Sequence, residues 1–401
     1  MTDFTVRPLA EGEHESAFDV LVRSLHATSQ DEQARERFAG AARFERRFGA
    51  FAGASMIGVA RSFATELAVP GGKTLPAAAV DGVGVRADHT RRGVLTALMR
   101  EQLRDCAARG EVFAHLHASE SVIYGRFGYG VAGRALSLCI GPATFRADAP
   151  SGGRVRMLEP GEAEHVLPAL YGRIGPHRPG MMARPGHWWT AGNGRQQITT
   201  LTAAVHTGED GDDGFVAYGP LDRSPSERMA DGAVLRVRDL QAANMTALAG
   251  LWRYVLGVDL VREVWATNRP VDEPLGAMLS DPRVARVTSL DDEIWLRVLD
   301  VPAALAARSY GDADPVVVEV EDAQLPENSG RYRITPDGAE RTERPAALRL
   351  VPEVLGMIYL GDARPSTLAA LGRIEVFSPA ALPHADALFL TAVPPWGGTG
   401  F

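Results

Sequence analysis

Residues 79–99 constrain this chain more than any other stretch. The extended run Val83-Gly84-Val85 leads through a polar turn to Arg91-Arg92-Gly93, and Val94, Leu95 and Thr96 follow at the head of a helical pattern. Leu95, Leu98, Met99, Gln102, Leu103 and Cys106 recur with the spacing of one helix face. A strand that stops in a turn at a helix start leaves the first helical N–H groups without partners, at the positive end of the dipole. Gly93 allows close backbone approach, and the two arginines add charge. Together these groups suit a pyrophosphate. A strand–turn–helix whose arginines merely face water has the same sequence, so the stretch alone leaves both readings open.

At roughly 150 residues per domain, the 401 residues suggest two or three domains. Forty-two Lys and Arg against 50 Asp and Glu leave a net charge of −8. That balance argues against nucleic acid, which needs a basic face, and suits a cationic small molecule or a basic peptide tail. Cys106 and Cys139 have no metal-ligand spacing and fit a reducing, cytoplasmic setting. The first residues lack the basic and apolar regions of a signal peptide, and no apolar run approaches the roughly 20 residues of a membrane span.

Strand and helix patterns alternate over residues 1–150. Val69-Pro70-Gly71-Gly72 is a hairpin signal between strand-like runs at 48–63 and 71–85. A helix over 90–110, stopped by Gly110, is followed by a strand at 111–118, a short helix at 119–127 and a strand at 129–140. Ala149-Pro150-Ser151-Gly152-Gly153 reads as a linker. The second segment, 151–289, carries helices at 163–174 and 244–256 and strand-like runs at 197–205, 214–219 and 233–240, with Glu209 to Asp213 as an exposed acidic loop. The third, 290–401, reads as a small α+β domain closed by a flexible tail that ends on Phe401. Asp291-Asp292-Glu293 is most simply a solvated turn, or else adds negative field to a pocket between domains, and Trp188, Trp189 and Trp252 are core or interface aromatics.

A second cluster, His117-Ala118-Ser119-Glu120 with Ile123-Tyr124-Gly125-Arg126-Phe127-Gly128-Tyr129-Gly130, follows the strand at 111–118. Strand, basic turn, helix, strand, short helix, strand in that order resembles the GCN5-related N-acetyltransferases (GNAT). Val83-x-Val85 with Arg91-Arg92-Gly93 is similar to the acetyl-CoA motif of that family, and Tyr124 falls on its tyrosine acid. Two positions depart from the motif: Thr90 stands for the usual Gln or Arg, and Leu95 for the second Gly or Ala. Adding Trp295-Leu296-Arg297-Val298-Leu299-Asp300-Val301 and the end on Phe401, the whole chain resembles the enhanced intracellular survival (Eis) acetyltransferases. The resemblance implies a mixed α/β and α+β protein: an acetyl-CoA-binding GNAT domain, a GNAT-like domain without the cofactor motif, and a sterol-carrier-like domain. It also implies a homohexamer and acetylation of aminoglycosides at several amines; no metal is expected, from the ligand spacing rather than the resemblance. Its acetyl-CoA contacts fall on Val83, Gly84, Val85, Arg91, Arg92, Gly93, Val94, Leu95, Thr96, Ser119 and Glu120.

The chemistry is consistent with those positions. A departing thiolate, whose conjugate acid has a pKa of roughly 8.5, can take a proton from a phenol of pKa about 10, a role for Tyr124. In the resembled family the C-terminal carboxylate is the base, here that of Phe401, which the tail of the 290–401 domain would carry into the active site. Asp81 lies two residues before Val83, on the same face of an unbulged strand, where it would meet a substrate ammonium or simply face water. Glu120 either neighbours the cofactor or stabilises a helix start. His115 and His117 share one strand face without a third ligand at metal spacing, and His117 is the acceptor-side candidate. A protein-lysine or polyamine acetyltransferase, or a non-catalytic module binding CoA or an apolar ligand, remains the alternative.

Overall fold

Helix Val94–Ala108 joins two parallel strands, and helix Met245–Leu256 does the same in the second half of the chain. Parallel neighbours need such a crossover. These units belong to one sheet of twelve strands, described in a computed structural model that covers residues 4–26, 32–41, 45–159, 161–191, 193–221 and 232–401. The strands are β1 (Thr5–Pro8), β2 (Glu45–Ala52), β3 (Ser55–Ala68), β4 (Thr74–Val85), β5 (Phe113–Leu116), β6 (Gly130–Ile140), β7 (Arg154–Met157), β8 (Thr202–Gly208), β9 (Gly211–Pro220), β10 (Ala233–Ala242), β11 (Val261–Pro270) and β12 (Ala285–Val298).

Their spatial order is β1-β2-β3-β4-β5-β12-β6-β11-β10-β9-β8-β7. Each half runs five strands inward from an edge, and the fourth and fifth are parallel in both. The sixth strands are exchanged: β12 pairs with β5, β6 pairs with β11, and β6 and β12 pair with each other. The second half thus repeats the first in three dimensions, where the sequence shows only an outline. A division at 289/290 falls inside β12.

After β12 come five short strands, β13 (Val316–Val320), β14 (Gly330–Thr335), β15 (Gly338–Arg341), β16 (Leu348–Leu350) and β17 (Glu375–Val376), in the order β15-β14-β13-β16-β17. Helices Val301–Ala307, Pro352–Tyr359 and Ala381–Phe389 complete an α+β unit. Helix Pro352–Tyr359 lies directly on the large sheet. A Cβ on Gly356 would strike the Leu296 carbonyl, and one on Gly130 would strike that of Glu353, so only glycine permits this approach. Arg297 of β12 donates to Asp322 at 2.6 Å with both side chains fully buried. One hydrophobic cluster runs from Leu67 and Phe113 through Leu296 to Val318 and Leu355.

Several expectations need correction. Residues 197–200 are helical, within Asn193–Thr200, and β8 starts only at Thr202. Ile198 and two threonines carry strand propensity, but Ile198 packs on the core from a helix. The acidic loop at 209–213 is a tight hairpin turn: Gly208 pairs with Gly211, and Asp213 lies in β9 with Oδ1 2.6 Å from His206 Nδ1. The acidic triplet at 291–293 lies in β12, not in a turn. Register shifts on either side of Ile294 break the strand's alternation there. Asp291 and Asp292 face solvent while Glu293 is buried. The strand β11 was not anticipated.

Candidate active site

β4 and β5 pair only from Ala77↔Phe113 to Ala79↔His115. Beyond that they part, and over residues 80–85 the edge of β4 that faces β5 has no ladder partner among the described residues. The opposite edge stays paired with β3, but the register slips between Val59↔Gly84 and Arg61↔Asp81. Gly82, at φ +55°, sits in this bulge, and a Cβ there would run into the Arg61 side chain. The unbulged strand expected around Asp81 is therefore corrected: simple alternation does not relate Asp81 to Val83. Gly84 is buried against Ser24, and Val85 packs with the cluster around Val94 and Leu98.

At the far end of β4 the turn carries two left-handed residues, Arg91 at φ +60° and Gly93 at φ +82°. No side chain caps the helix that follows. Its first intrahelical bond of this end runs from Ala97 N to Gly93 O at 3.0 Å, so the N–H groups of Val94, Leu95 and Thr96 lack intrahelical acceptors. The Val94 side chain is buried, which leaves only its backbone for a ligand, whereas Arg91, Arg92 and Gly93 are exposed. This donor set fits a pyrophosphate. The matching place in the second half is closed. There the Asn244 side chain accepts from Ala247 N at 2.8 Å, and Arg269 of β11 reaches across to Leu240 O of β10 at 2.8 Å.

Where β4 and β5 part, Asp81, Val83, His117, Ser119, Tyr124 and Phe401 line a cavity of about 260 Å³. Tyr124 is buried against Tyr129 and Trp295. Burial raises its phenol pKa, and a hydrogen bond with Ser119 opposes that shift. Ser119 is exposed at the rim, as is Glu120, whose side chain does not cap the short helix Ser121–Tyr124. A second cavity of about 270 Å³ lies on the other side of Asp81, Arg61 and Phe401, walled by Phe18, Phe38, Phe63 and Trp188. Arg61 Nη2 donates to Asp81 Oδ2 at 2.6 Å, and its Nε contacts the other oxygen. Burial still dominates, and the Asp81 carboxyl sits above the usual aspartate range.

The chain end is threaded between these cavities. The Phe401 ring packs on Phe63, His115 and His117, with centroids 5.8, 5.0 and 4.7 Å away. His117 Nε2 lies 3.0 Å from Thr399 O and Trp188 Nε1 donates to Gly400 O at 3.0 Å. Arg184 donates to the Thr399 hydroxyl at 3.0 Å and to Gly398 O at 3.1 Å. It is fixed by buried Asp239 and lies over the faces of Tyr171 and Trp188. Glu293 accepts the N–H groups of Gly397 and Gly398 at 2.9 and 2.7 Å. Burial pushes the Glu293 carboxyl upward, against the pull of His117 and these two amides. The tail is thus a bound segment, rather than the flexible one its composition alone suggested.

The structure brings Asp81, Val83, His117, Ser119, Tyr124 and Phe401 together and sets Arg91 to Thr96 apart at the other end of the cleft. Sequence reasoning missed Arg184, Asp239 and Glu293. Glu293 was noticed only as part of the acidic triplet at 291–293, and Arg184 and Asp239 were not singled out. Among the described residues no group of three or more His, Cys, Asp or Glu is placed to hold a metal, and no helix is long and apolar enough to cross a membrane.

Residues 5–132 and 180–298 each match an acetyltransferase (GNAT) domain family, and 301–398 match a sterol carrier protein domain. The chain is 36% identical to an uncharacterized N-acetyltransferase of Streptomyces avermitilis, over 99% of each chain. It is 37% identical to N-acetyltransferase Eis of Mycobacterium bovis, over 87% of this chain and 86% of that one. Among solved structures, Eis1 from Mycobacterium abscessus superposes with a TM-score of 0.87 at 37% identity, over 99% of this chain and 100% of the other. With two GNAT domains in tandem, a sterol-carrier-like third domain and this likeness along its length, the chain belongs to the Eis-type N-acetyltransferases of the GNAT superfamily.

Proposed function

We propose that the protein transfers an acetyl group from acetyl-CoA directly to a primary amine of a cationic small molecule. The observation that carries this reading is the meeting of Tyr124 and the chain end at Phe401 in one cavity, where the strand that leads to the uncapped helix parts from its neighbour. Arg91, Arg92 and the N–H groups of Gly93, Val94, Leu95 and Thr96 hold the pyrophosphate. The free edge of Val83, Gly84 and Val85 pairs with the pantetheine amides as an added strand, and Ser119 and Glu120 border the thioester end. Asp81 and His117 wall the acceptor side.

Acetyl-CoA supplies the activated acyl group. The Phe401 carboxylate takes the ammonium proton, directly or through a water, because a carboxylate of pKa about 3.5 is otherwise a weak base. As the N–C bond forms and the C–S bond breaks, the Tyr124 hydroxyl protonates the departing thiolate. Burial, which raises the phenol's pKa, keeps that proton in place at neutral pH. In this division of labour the first domain holds the cofactor, the second clamps the tail and the third delivers it. The Eis likeness supports aminoglycosides, acetylated at more than one amine, as acceptors, with a homohexamer in the cytoplasm as the working form.

A thiol-release assay with acetyl-CoA and a panel of amines tests the proposal. Amine-dependent release is expected. Tyr124→Phe, and separately deletion of residues 397–401, should each lower turnover by roughly 100-fold or more while calorimetric acetyl-CoA binding persists. Unchanged turnover in either variant removes that residue from the mechanism. No release with any amine would overturn the acetyltransferase reading itself.

A further inference from the structure

The parting of β4 and β5 has a counterpart in the second half. There β10 and β11 pair from Ala233↔Val261 to Val237↔Ala266, where their ladder stops. Asp239 and Asn268 each lie two residues beyond that last pair, as Asp81 and His117 do beyond Ala79↔His115. Arg184 holds Asp239 much as Arg61 holds Asp81. The helix start beside this second split offers no open donor set, because Asn244 caps it and Arg269 spans the gap to Leu240 O. What fills the split is a piece of the chain itself, residues 396–398.

The fit is particular at each of these residues. Trp396 is buried, and its indole N–H donates to Asn268 O at 3.1 Å. The guanidinium of Arg269 lies 5.2 Å from its ring and that of Arg178 6.0 Å, while its backbone N–H donates to Pro179 O at 2.8 Å. A Cβ on Gly397 would come within 3.0 Å of the Glu293 carboxylate. Gly398 is left-handed, at φ +60°, and a Cβ there would run into the Trp396 ring. Its carbonyl accepts from Arg184 at 3.1 Å and from Gln241 at 3.4 Å. Only from Thr399 onward does the tail cross to His117 and the first half. A buried tryptophan ringed by such contacts is the usual anchor of a recognition site.

We propose that the split between β10 and β11 is a peptide-binding site, the second half's counterpart of the cofactor cleft, selective for a Trp-Gly-Gly-Thr segment. Its ligand is the chain's own end, and the contacts that hold it do not depend on the covalent link. A separate peptide of residues 396–401 therefore occupies the site once the resident tail is gone. Attachment to the third domain contributes effective concentration rather than contacts. The consequence for turnover rests on the role given above to the Phe401 carboxylate, whereas the binding does not.

The test uses the chain truncated after Pro394 and the N-acetylated peptide of residues 396–401, whose acetyl group takes the place of Pro395. Calorimetry follows binding and thiol release follows turnover. The peptide should bind the truncated chain one to one, and at least about tenfold more tightly than the full chain, whose site is filled. Trp396→Ala or Gly398→Ala within the peptide should weaken binding at least about tenfold, and neither change touches the folding of the protein. A peptide amidated at Phe401 should bind as the free acid does, yet fail to restore the turnover that the free acid restores. Should the truncated chain fail to fold, Gly398→Ala in the full chain loosens the resident tail and should admit the peptide. Absence of binding to a folded chain, or equal binding by the alanine peptides, overturns the proposal. Binding of the free acid without restored turnover supports the site and removes Phe401 from the mechanism.

Discussion

Replacing Glu293 by glutamine isolates the clamp that holds the chain end. The carboxylate accepts two backbone N–H groups, from Gly397 at 2.9 Å and Gly398 at 2.7 Å, in a buried setting. Glutamine is nearly the same shape but keeps only one acceptor oxygen and points an NH2 group at the second amide. One hydrogen bond is lost and one donor is left unsatisfied, which costs roughly 1–3 kcal/mol. At about 1.4 kcal/mol per factor of ten, the undocked tail population should rise roughly 5- to 150-fold. Release of Phe401 by a carboxypeptidase reads that population directly when docking is fast relative to cleavage. The rate of release should therefore rise by the same factor. Turnover should fall less, because Trp396, Arg184 and Trp188 still hold neighbouring residues. Calorimetric acetyl-CoA affinity should be unchanged. A release rate within twofold of the wild type would refute the role given to Glu293.

Other expectations concern stability and the two helix starts. Burial depresses His115 from 6.5 to about 3, so the unfolded chain takes up a proton below pH 6.5 that the fold refuses. Stability should fall by about 2 kcal/mol between pH 6.5 and 5.0 from this group alone, at about 1.36 kcal/mol per pH unit. Urea titrations of the wild type and His115→Leu should differ by that amount, and equal losses would reject the assignment. Asn244→Ala removes the N-cap of helix Met245–Leu256 and should cost about 1 kcal/mol without altering acetyl-CoA binding, as denaturation and calorimetry would show. A Cβ on Gly93 would meet nothing within 4 Å, so Gly93→Ala should pay only for its left-handed backbone, roughly 1–2 kcal/mol. A much larger loss would mean that the turn has a contact not accounted for.

Much of the first half was legible because its signals are local. The apolar periodicity of Val94–Ala108 and the glycine after it mark that helix, and the adjacent Val-x-Val and Arg-Arg-Gly motifs place it after a strand. Tyr124 was named from its motif and Phe401 only from the family resemblance, and they line one cavity. What stayed hidden depends on distant partners or on broken alternation. The bulges in β12 disguise a central strand as an acidic turn and conceal Glu293. Arg184, Asp239 and Glu293 converge on the tail from three separate places, and no spacing rule links them. Asp81 was read as a free carboxylate because its partner, Arg61, belongs to the neighbouring strand across a bulge.

The exchange of β6 and β12 bears on how such a chain comes to be folded. β5, which carries His115 and leads directly to His117, gains its neighbour on one side only when Trp295 to Val298 pair with Leu116 to Phe113. Those partners are made almost half a chain later, and their contact closes a very long loop. On the ribosome, the first half must wait with an unpaired strand edge until most of the second half has emerged. Formation of the cleft should therefore be a late and slow event, sensitive to delay in the second half. A fragment ending near residue 150 would keep every residue of the Arg91–Gly93 turn and still lack the strand that covers β5.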